Sequence, residues 1–125
     1  MGDEEQATLD GQFVDFAKML DPKGRNGTTI NLYRLDYWLR QGKIIDDRKI
    51  TMTDTGIIFN KFFKSEIDYD EFLEFLEDLA NLKSLYLEKL QETLTNCGLP
   101  GSCAVFVPQY RTFFDTYKPK EKMLF

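Results

Sequence analysis

The 125-residue chain contains no histidine. Histidine is the side chain that most often serves as a general base near neutral pH and as a nitrogen ligand for metals. Its absence excludes a histidine-based catalytic triad and a histidine-based metal centre. The chain also lacks a glycine-rich phosphate loop of either nucleotide-binding type. The sequence therefore predicts a protein that is not an enzyme and that carries no cofactor and no metal.

Cysteine is almost as scarce, because the chain contains only Cys97 and Cys103. A structural zinc ion takes four ligands, so two thiolates without histidine do not complete a site. A disulfide across this short loop would require an oxidising compartment. We therefore interpret both residues as reduced thiols.

Long apolar stretches are missing as well, since no run approaches the ~20 residues that span a bilayer. The first residues, MGDEEQATLDG, are acidic and polar, unlike a secretory or mitochondrial leader. The sixth position is Gln6, where a myristoylation motif has serine or threonine. We therefore expect a cytoplasmic protein that does not insert into membranes.

Apolar residues nonetheless make up 42% of the chain and aromatic residues 14%, which supports one compact domain with its own core. Apolar positions recur at intervals of three and four residues, the periodicity of an amphipathic helix. The periodic stretches lie at 9–20, 32–39, 57–63, 72–80 and 82–94. Whether the last two form one helix or two is left open by the pattern. The sequence predicts an all-α fold of four to five helices.

Short extended segments around Ile30 and Ile67 interrupt the helical pattern. Two such residues pair in the small sheet that joins the loops of an EF-hand pair. We therefore predict an EF-hand-like helical domain at 9–98, with a minimal two-stranded pairing between degenerate loops. We expect an acidic N-terminal segment at 1–8 and an extended aromatic and basic C-terminal tail at 99–125.

Polar residues mark the expected helix starts. Asn31 is a suitable N-cap for the second helix, and Thr53 or Asp54 for the third. Asp68 and Glu71 have the spacing of a capping box that opens the fourth helix. The side chains expected to face the core include Leu20 of the first helix and Ile57, Ile58, Phe59, Phe62 and Phe63 of the third.

The second loop lacks calcium ligands. An EF-hand loop places oxygen ligands at positions one, three, five, seven, nine and twelve, with glycine at six. With Ile67 at position eight, positions one, three, five and six are Asn60, Phe62, Lys64 and Ser65. Phenylalanine cannot ligate calcium and lysine repels it, so we expect no calcium site here.

The first loop fails the same test. With Ile30 at position eight, positions one, three, five and twelve are Lys23, Arg25, Gly27 and Arg34. A loop that starts two residues earlier places Lys23 and Arg25 at positions three and five instead. Either frame puts cations where anions are required, so the helical pairing is present and the calcium ligands are not.

The segment IIDDRKITMTDTGIIFNKFFKSEIDYDEFLEFLEDLA occupies residues 44–80. Its characteristic positions are Ile45, Asp46, Arg48, Ile50, Thr51, Thr53, Asp54, Ile57, Phe59, Lys61, Ile67, Phe72, Leu76, Leu79 and Ala80. In order and spacing the segment resembles the tubulin polymerization-promoting protein family. The resemblance implies an EF-hand-like fold without calcium sites. It also implies a protein that binds tubulin, promotes its polymerisation and bundles microtubules.

Charge is unevenly distributed along a chain whose net charge is −5. Residues 22–50 contain seven Lys/Arg and three Asp, whereas residues 65–92 contain nine acidic residues and two lysines. A basic region steers an acidic partner, and the outer surface of a microtubule is acidic. The candidate tubulin contacts in the basic region are Arg34, Arg40, Lys43, Arg48 and Lys49. A role in solubility alone is the alternative explanation for these charges.

The C-terminal tail combines aromatic with basic side chains and contains too many apolar groups for a free tail. It either folds back on its own domain or docks on a partner, and we favour docking. The candidate tubulin contacts in the tail are Tyr110, Arg111, Phe113, Phe114, Tyr117, Lys118, Lys120 and Lys122.

The resemblance and the charges together suggest a non-catalytic protein that binds tubulin and stabilises, bundles or promotes the assembly of microtubules. We expect it on the cytoplasmic cytoskeleton, and attachment to the axonemal doublets of cilia or flagella would suit a compact, tailed member. Other microtubule-associated or axonemal proteins are further candidate partners, whereas nucleic acid and membranes are not expected. The alternative is a calcium-independent EF-hand-like adaptor that binds a protein other than tubulin.

Overall fold

The computed structural model describes residues 7–102 and Val105. These residues form five helices and one small antiparallel sheet. In chain order the elements are α1 (Leu9–Ala17), β1 (Thr29–Asn31), α2 (Leu32–Gln41), α3 (Met52–Asn60), β2 (Glu66–Asp68), α4 (Tyr69–Lys83) and α5 (Leu87–Thr95). The predicted all-α, EF-hand-like fold with a minimal sheet is confirmed. All but a few residues of the predicted tail lie outside the described part of the chain.

The sheet has the predicted centre. Ile30 of β1 pairs with Ile67 of β2, and both side chains are fully buried. Each isoleucine is preceded by a loop and followed by a helix, so the pairing joins two helix–loop–helix units back to back. The register therefore supports the loop numbering in which both isoleucines occupy position eight.

Two of the predicted helix starts are confirmed. The Asn31 side chain accepts a hydrogen bond from the Arg34 backbone N–H and caps α2. Asp68 and Glu71 form the reciprocal capping box of α4, with both hydrogen bonds at 2.9 Å. Each cap satisfies backbone donors that the first turn of a helix otherwise leaves unpaired.

The predicted start of α3 is wrong by two to three residues. Thr51 is the N-cap, and its hydroxyl accepts from the Asp54 backbone N–H. The Asp54 carboxylate accepts in return from the Thr51 backbone N–H at 2.9 Å. This reciprocal pair is a capping box that starts the helix at Met52. Thr53 therefore lies inside the helix, and Asp54 is its third residue.

An aromatic stack forms the centre of the core. The indole of Trp38 lies between the rings of Phe16 and Phe72, with centroid distances of 5.0 Å to each. All three side chains are fully buried, and such pairs contribute about 0.5–1.5 kcal/mol beyond their buried area. The indole N–H donates to the Leu94 carbonyl at 3.1 Å. One side chain of α2 thereby joins α1, α4 and α5.

The stretch from 72 to 94 is two helices. Ser84 adopts a left-handed backbone conformation with φ 57°, which ends α4, and the Leu85 N–H bonds back to the Ala80 carbonyl at 2.8 Å. After this turn α5 packs against α1 and α4 and buries Leu90 and Leu94. None of the described helices is long and apolar enough to cross a bilayer.

Three side chains expected in the core are instead exposed. Leu20 is 66% exposed, because α1 ends at Ala17 and the chain turns away with a positive φ at Leu20. Phe63 is 94% exposed, because it follows the end of α3 in a left-handed conformation. Ile57 is 63% exposed on the outer flank of α3, since the adjacent Ile58 takes the buried position.

Candidate functional site

The loop that follows α2 contains a turn organised by one carboxylate. Asp46 Oδ1 accepts hydrogen bonds from the backbone N–H groups of Arg48, Lys49 and Ile50 at 3.0–3.1 Å. The Asp47 backbone N–H closes the turn on the Ile50 carbonyl at 3.1 Å. The hydrogen bonds that Asp46 accepts lower its pKa, and the one from the Arg48 N–H has the largest effect. The turn is therefore a defined structure, and we call residues 43–50 the basic loop.

The basic loop presents three cations to solvent. Lys43, Arg48 and Lys49 are exposed, and none of them forms an ion pair with another residue in the described part of the chain. The two neighbouring carboxylates are engaged elsewhere, Asp46 with backbone N–H groups and Asp47 with a guanidinium. The loop thus presents three exposed cations that form no ion pair with a described residue, beside the ionised Asp46 carboxylate.

Arg40 has a different position from these three. Its side chain is only 9% exposed and makes a bidentate pair with Asp47 at 2.7 and 2.8 Å. The same guanidinium contacts the sulfur of Met52 at 3.2 Å. Arg40 lowers the pKa of Asp47 and joins α2 to the basic loop and α3. The positive charge of Arg40 is therefore largely balanced by Asp47.

A buried carboxylate lies one helical turn before Arg40. Asp36 is fully buried, and its two oxygens have no hydrogen-bond partner among the residues described. The nearby Thr55 hydroxyl donates instead to the Met52 carbonyl at 3.1 Å. Burial raises the pKa of Asp36 to about 7, although Thr55 and Arg40 act in the opposite direction. The interface between α2 and α3 therefore contains a carboxyl group that titrates near neutral pH.

Arg34 lies away from the basic loop, over the first EF-hand-like loop. Its Nε donates to the Met19 carbonyl at 2.7 Å. Burial, and then repulsion from Arg25, lower the pKa of Arg34. The five predicted basic residues thus occupy three settings. Three are exposed, Arg40 is nearly buried and pairs with the exposed Asp47, and Arg34 contacts the backbone at Met19.

The chain that leads into the tail is held against the end of α2. Gln41, which is 4% exposed, donates through Nε2 to the carbonyls of Cys97 at 2.9 Å and Leu99 at 2.8 Å. Its Oε1 accepts from the Gly101 N–H at 3.1 Å, and Nε2 also reaches the Ser102 hydroxyl at 3.0 Å. One buried amide therefore fixes the whole 97–102 turn.

A second buried glutamine supports this arrangement from α1. Gln12, also 4% exposed, donates to the Gly98 carbonyl at 2.9 Å. Farther along, Val105 is half-buried against the core. The tail therefore begins beside Gln41, two residues before Lys43. Sequence reasoning missed both glutamines, because their carbonyl partners lie 56 to 86 residues away.

The predicted tail contacts lie outside the described residues. They are Tyr110, Arg111, Phe113, Phe114, Tyr117, Lys118, Lys120 and Lys122. Within the described part of the chain, no group of three or more cysteine and acidic side chains is arranged to hold a metal ion.

Comparison with known proteins agrees with the resemblance. A search of the curated proteins found no match. A protein-family model described as p25-alpha matches residues 10–118, which is most of the chain and includes all of the described helices except the first residue of α1. This family is non-enzymatic and associated with tubulin- and microtubule-related function. The chain therefore belongs to the p25-alpha family, the family of the tubulin polymerization-promoting proteins.

Proposed function

We propose that this protein binds microtubules without catalysis and stabilises them, bundles them or promotes their assembly. The basic loop and the tail form its contact surface. One observation carries the proposal: the exposed cations of the basic loop and the start of the basic, aromatic tail lie at the same end of α2. Gln41 holds the tail's first residues there through its contacts with Leu99, Gly101 and Ser102 at 2.8–3.1 Å.

The charge arrangement supports an acidic partner. Lys43, Arg48 and Lys49 have no described carboxylate to neutralise them, and the tail adds four cations against two acids between 102 and 125. Positive charge of this kind raises the association rate with an acidic surface and selects against basic ones. Among the acidic residues of α4, Glu74 and Asp78 pair with Lys61 and Glu71 pairs with Lys64, whereas Asp70 and Glu77 are exposed.

The two remaining basic candidates act indirectly in this proposal. Arg40 positions the basic loop through Asp47, and Arg34 supports the first EF-hand-like loop through Met19. Substitution of either residue is therefore expected to lower stability together with binding, whereas substitution of the exposed cations lowers binding alone.

The proposed setting is the cytoplasmic cytoskeleton. A narrower version of the same proposal places the protein on the axonemal doublet microtubules of cilia or flagella. A compact helical domain with a short tail suits a protein fixed along a lattice, and other lattice-bound proteins are candidate neighbours.

Cosedimentation with stabilised microtubules tests the contact surface. We expect Arg48→Ala/Lys49→Ala to weaken binding roughly three- to tenfold, since each lost surface charge contributes up to about 1 kcal/mol. The matched control is Lys23→Ala/Lys89→Ala, which removes the same charge from exposed positions elsewhere. A third variant, Lys118→Ala/Lys120→Ala/Lys122→Ala, measures how much the tail contributes to the binding affinity. Equal binding by the loop variant and its control would show that the basic loop does not contribute to the contact.

An adaptor role is the second candidate, and the exposed apolar side chains at the end of α3 favour it. Phe63 is 94% exposed and Ile57 63% exposed, which is unusual for such large apolar groups. If the wild-type protein fails to cosediment while Phe63→Ser abolishes capture of another protein, the adaptor role replaces the tubulin proposal.

A further inference from the structure

The EF-hand-like loops raise the question of what replaces calcium. The pairing of Ile30 with Ile67 places both residues at position eight of their loops. In that frame the second loop has Phe62 at position three and Lys64 at position five, which do not fit a calcium ion. The charged side chains of both loops nevertheless converge on the acceptors that calcium would use.

In the second loop a lysine neutralises the position-twelve glutamate. In a calcium-binding loop this glutamate is the bidentate ligand of the ion. Here Glu71 Oε2 accepts from the Lys64 ammonium at 2.7 Å, and Oε1 accepts from the Asp68 backbone N–H at 2.9 Å. Lys64 is the main cause that lowers the pKa of Glu71, and Glu71 raises that of Lys64. An internal cation from position five thus binds the chief calcium-ligating side chain.

In the first loop an arginine binds the position-seven carbonyl. Arg25, at position three, donates through Nη2 to the Thr29 carbonyl at 3.0 Å, the backbone oxygen that ligates calcium in a functional loop. Its Nε donates to the Ala17 carbonyl at the end of α1 at 2.5 Å. The guanidinium therefore joins the helix that enters the loop to the strand that leaves it.

The same guanidinium connects the two loops. Glu66, at position seven of the second loop, accepts from Arg25 Nη2 at 2.5 Å and from Nη1 at 3.1 Å. The Thr29 hydroxyl donates to the same carboxylate at 2.5 Å. Arg25 is the largest cause that lowers the pKa of Glu66. The Arg25 and Glu66 side chains are 17% and 32% exposed, so the pair is partly shielded from water.

We propose that Arg25 and Lys64 take the place of bound calcium, so that side chains of the protein itself hold the two loops in their paired arrangement. The planar guanidinium makes four hydrogen bonds to fixed acceptors, which a single point charge does not reproduce. The fold is then independent of calcium, and no calcium-driven opening of the helices occurs. This inference is independent of microtubule binding.

Calcium dependence of thermal stability tests the inference for Lys64. The wild-type protein is expected to unfold at the same temperature in 10 mM calcium as in EDTA. Lys64→Ala frees the Glu71 carboxylate, and calcium at this concentration is expected to raise the unfolding temperature of the variant by partly replacing the lost positive charge there. The control Lys61→Ala also releases two carboxylates, Glu74 and Asp78, but outside the loop acceptors, and calcium is expected to leave it unchanged.

Two outcomes would overturn the inference. The first is a wild-type protein that calcium stabilises, because the loops would then hold the ion without displacement of a side chain. The second is equal calcium response of Lys64→Ala and Lys61→Ala, because Lys64 would then be an ordinary surface ion pair.

Amide hydrogen exchange tests the role of Arg25 in the full chain. Arg25→Gln is expected to raise exchange at the Ile30 and Ile67 amides at least roughly tenfold, the effect of losing a charge-assisted pair. Arg25→Lys is expected to restore little of the protection. The remote control Lys89→Gln is expected to leave exchange at both amides unchanged. If Arg25→Gln does not fold, Glu66→Gln removes the same pair. Unchanged exchange in the folded variant would refute the role of Arg25.

Discussion

At the residue scale, Asp36 is unusual because burial raises the pKa of its carboxyl group close to neutral pH. Its pKa of about 7 in the folded protein lies far above the ordinary value of 3.8. Between these two values the folded state holds a proton that the unfolded state has released. Stability contributed by this group is therefore present at acidic pH and is lost as pH rises towards 7.

We expect Asp36→Asn to stabilise the protein at pH 8 by up to about 4 kcal/mol, because the neutral amide avoids a buried charge. At pH 5 the difference from the wild type should fall to roughly 1.5 kcal/mol, because Asp36 is then protonated in the folded state but still ionised in the unfolded state, and it should vanish only below about pH 4. Urea unfolding at both pH values measures this, with the exposed Asp15→Asn as control. Equal effects of Asp36→Asn at the two pH values would show that the carboxyl group does not titrate as described.

Arg40 connects this group to the basic loop. It lowers the pKa of Asp36 by its charge and holds Asp47 of the basic loop in a bidentate pair. Both relations lie within a short segment of chain, since Arg40 is four residues from Asp36 and seven from Asp47. The burial of Asp36 was not predictable, because an aspartate on a helix with alternating apolar positions normally faces solvent.

At the element scale, α3 depends on its capping box. Thr51→Ala removes the hydroxyl that accepts from the Asp54 N–H and is expected to cost about 1 kcal/mol of unfolding free energy. Thr53→Ala is the matched control, because Thr53 is an exposed helical residue and its substitution should change stability by less than about 0.5 kcal/mol. Chemical denaturation compares the two. A larger loss from Thr53→Ala would contradict the assigned helix start.

The sequence contained the signal for this start. Thr51 and Asp54 have the same three-residue spacing as Asp68 and Glu71, whose capping box was predicted. The prediction at Thr53 went wrong because the extended, β-branched character of the preceding segment suggested that it continued further. Local patterns predicted the strands around Ile30 and Ile67, since the alternation there spans only a few residues.

Contacts between distant segments were beyond local patterns. Arg25 lies 41 residues from Glu66, and Gln41 lies 56 to 61 residues from its partners in the 97–102 turn. Neither pairing leaves a periodic signal in the sequence. Assigning residues to the EF-hand loop positions predicted that cations replace calcium ligands. The structure was needed to show which groups those cations bind.

At the scale of the whole molecule, the residues that hold the fold together are distinct from those of the proposed contact surface. The stack around Trp38 joins α1, α2, α4 and α5, and the Arg25 pair with Glu66 joins the two loops. The basic loop and the start of the tail lie together at the end of α2. The family match supports microtubule association, and this arrangement of charge supports the proposed contact surface.

Binding of the full chain to stabilised microtubules, measured as an isotherm at two ionic strengths, tests the central claim most directly. We predict saturable binding in 50 mM salt that weakens several-fold in 200 mM salt, because the distance over which exposed charges interact falls from about 14 Å to about 7 Å. Absence of binding at low salt would contradict the proposed function. Binding that does not change with salt would contradict the proposed role of the basic loop and the tail.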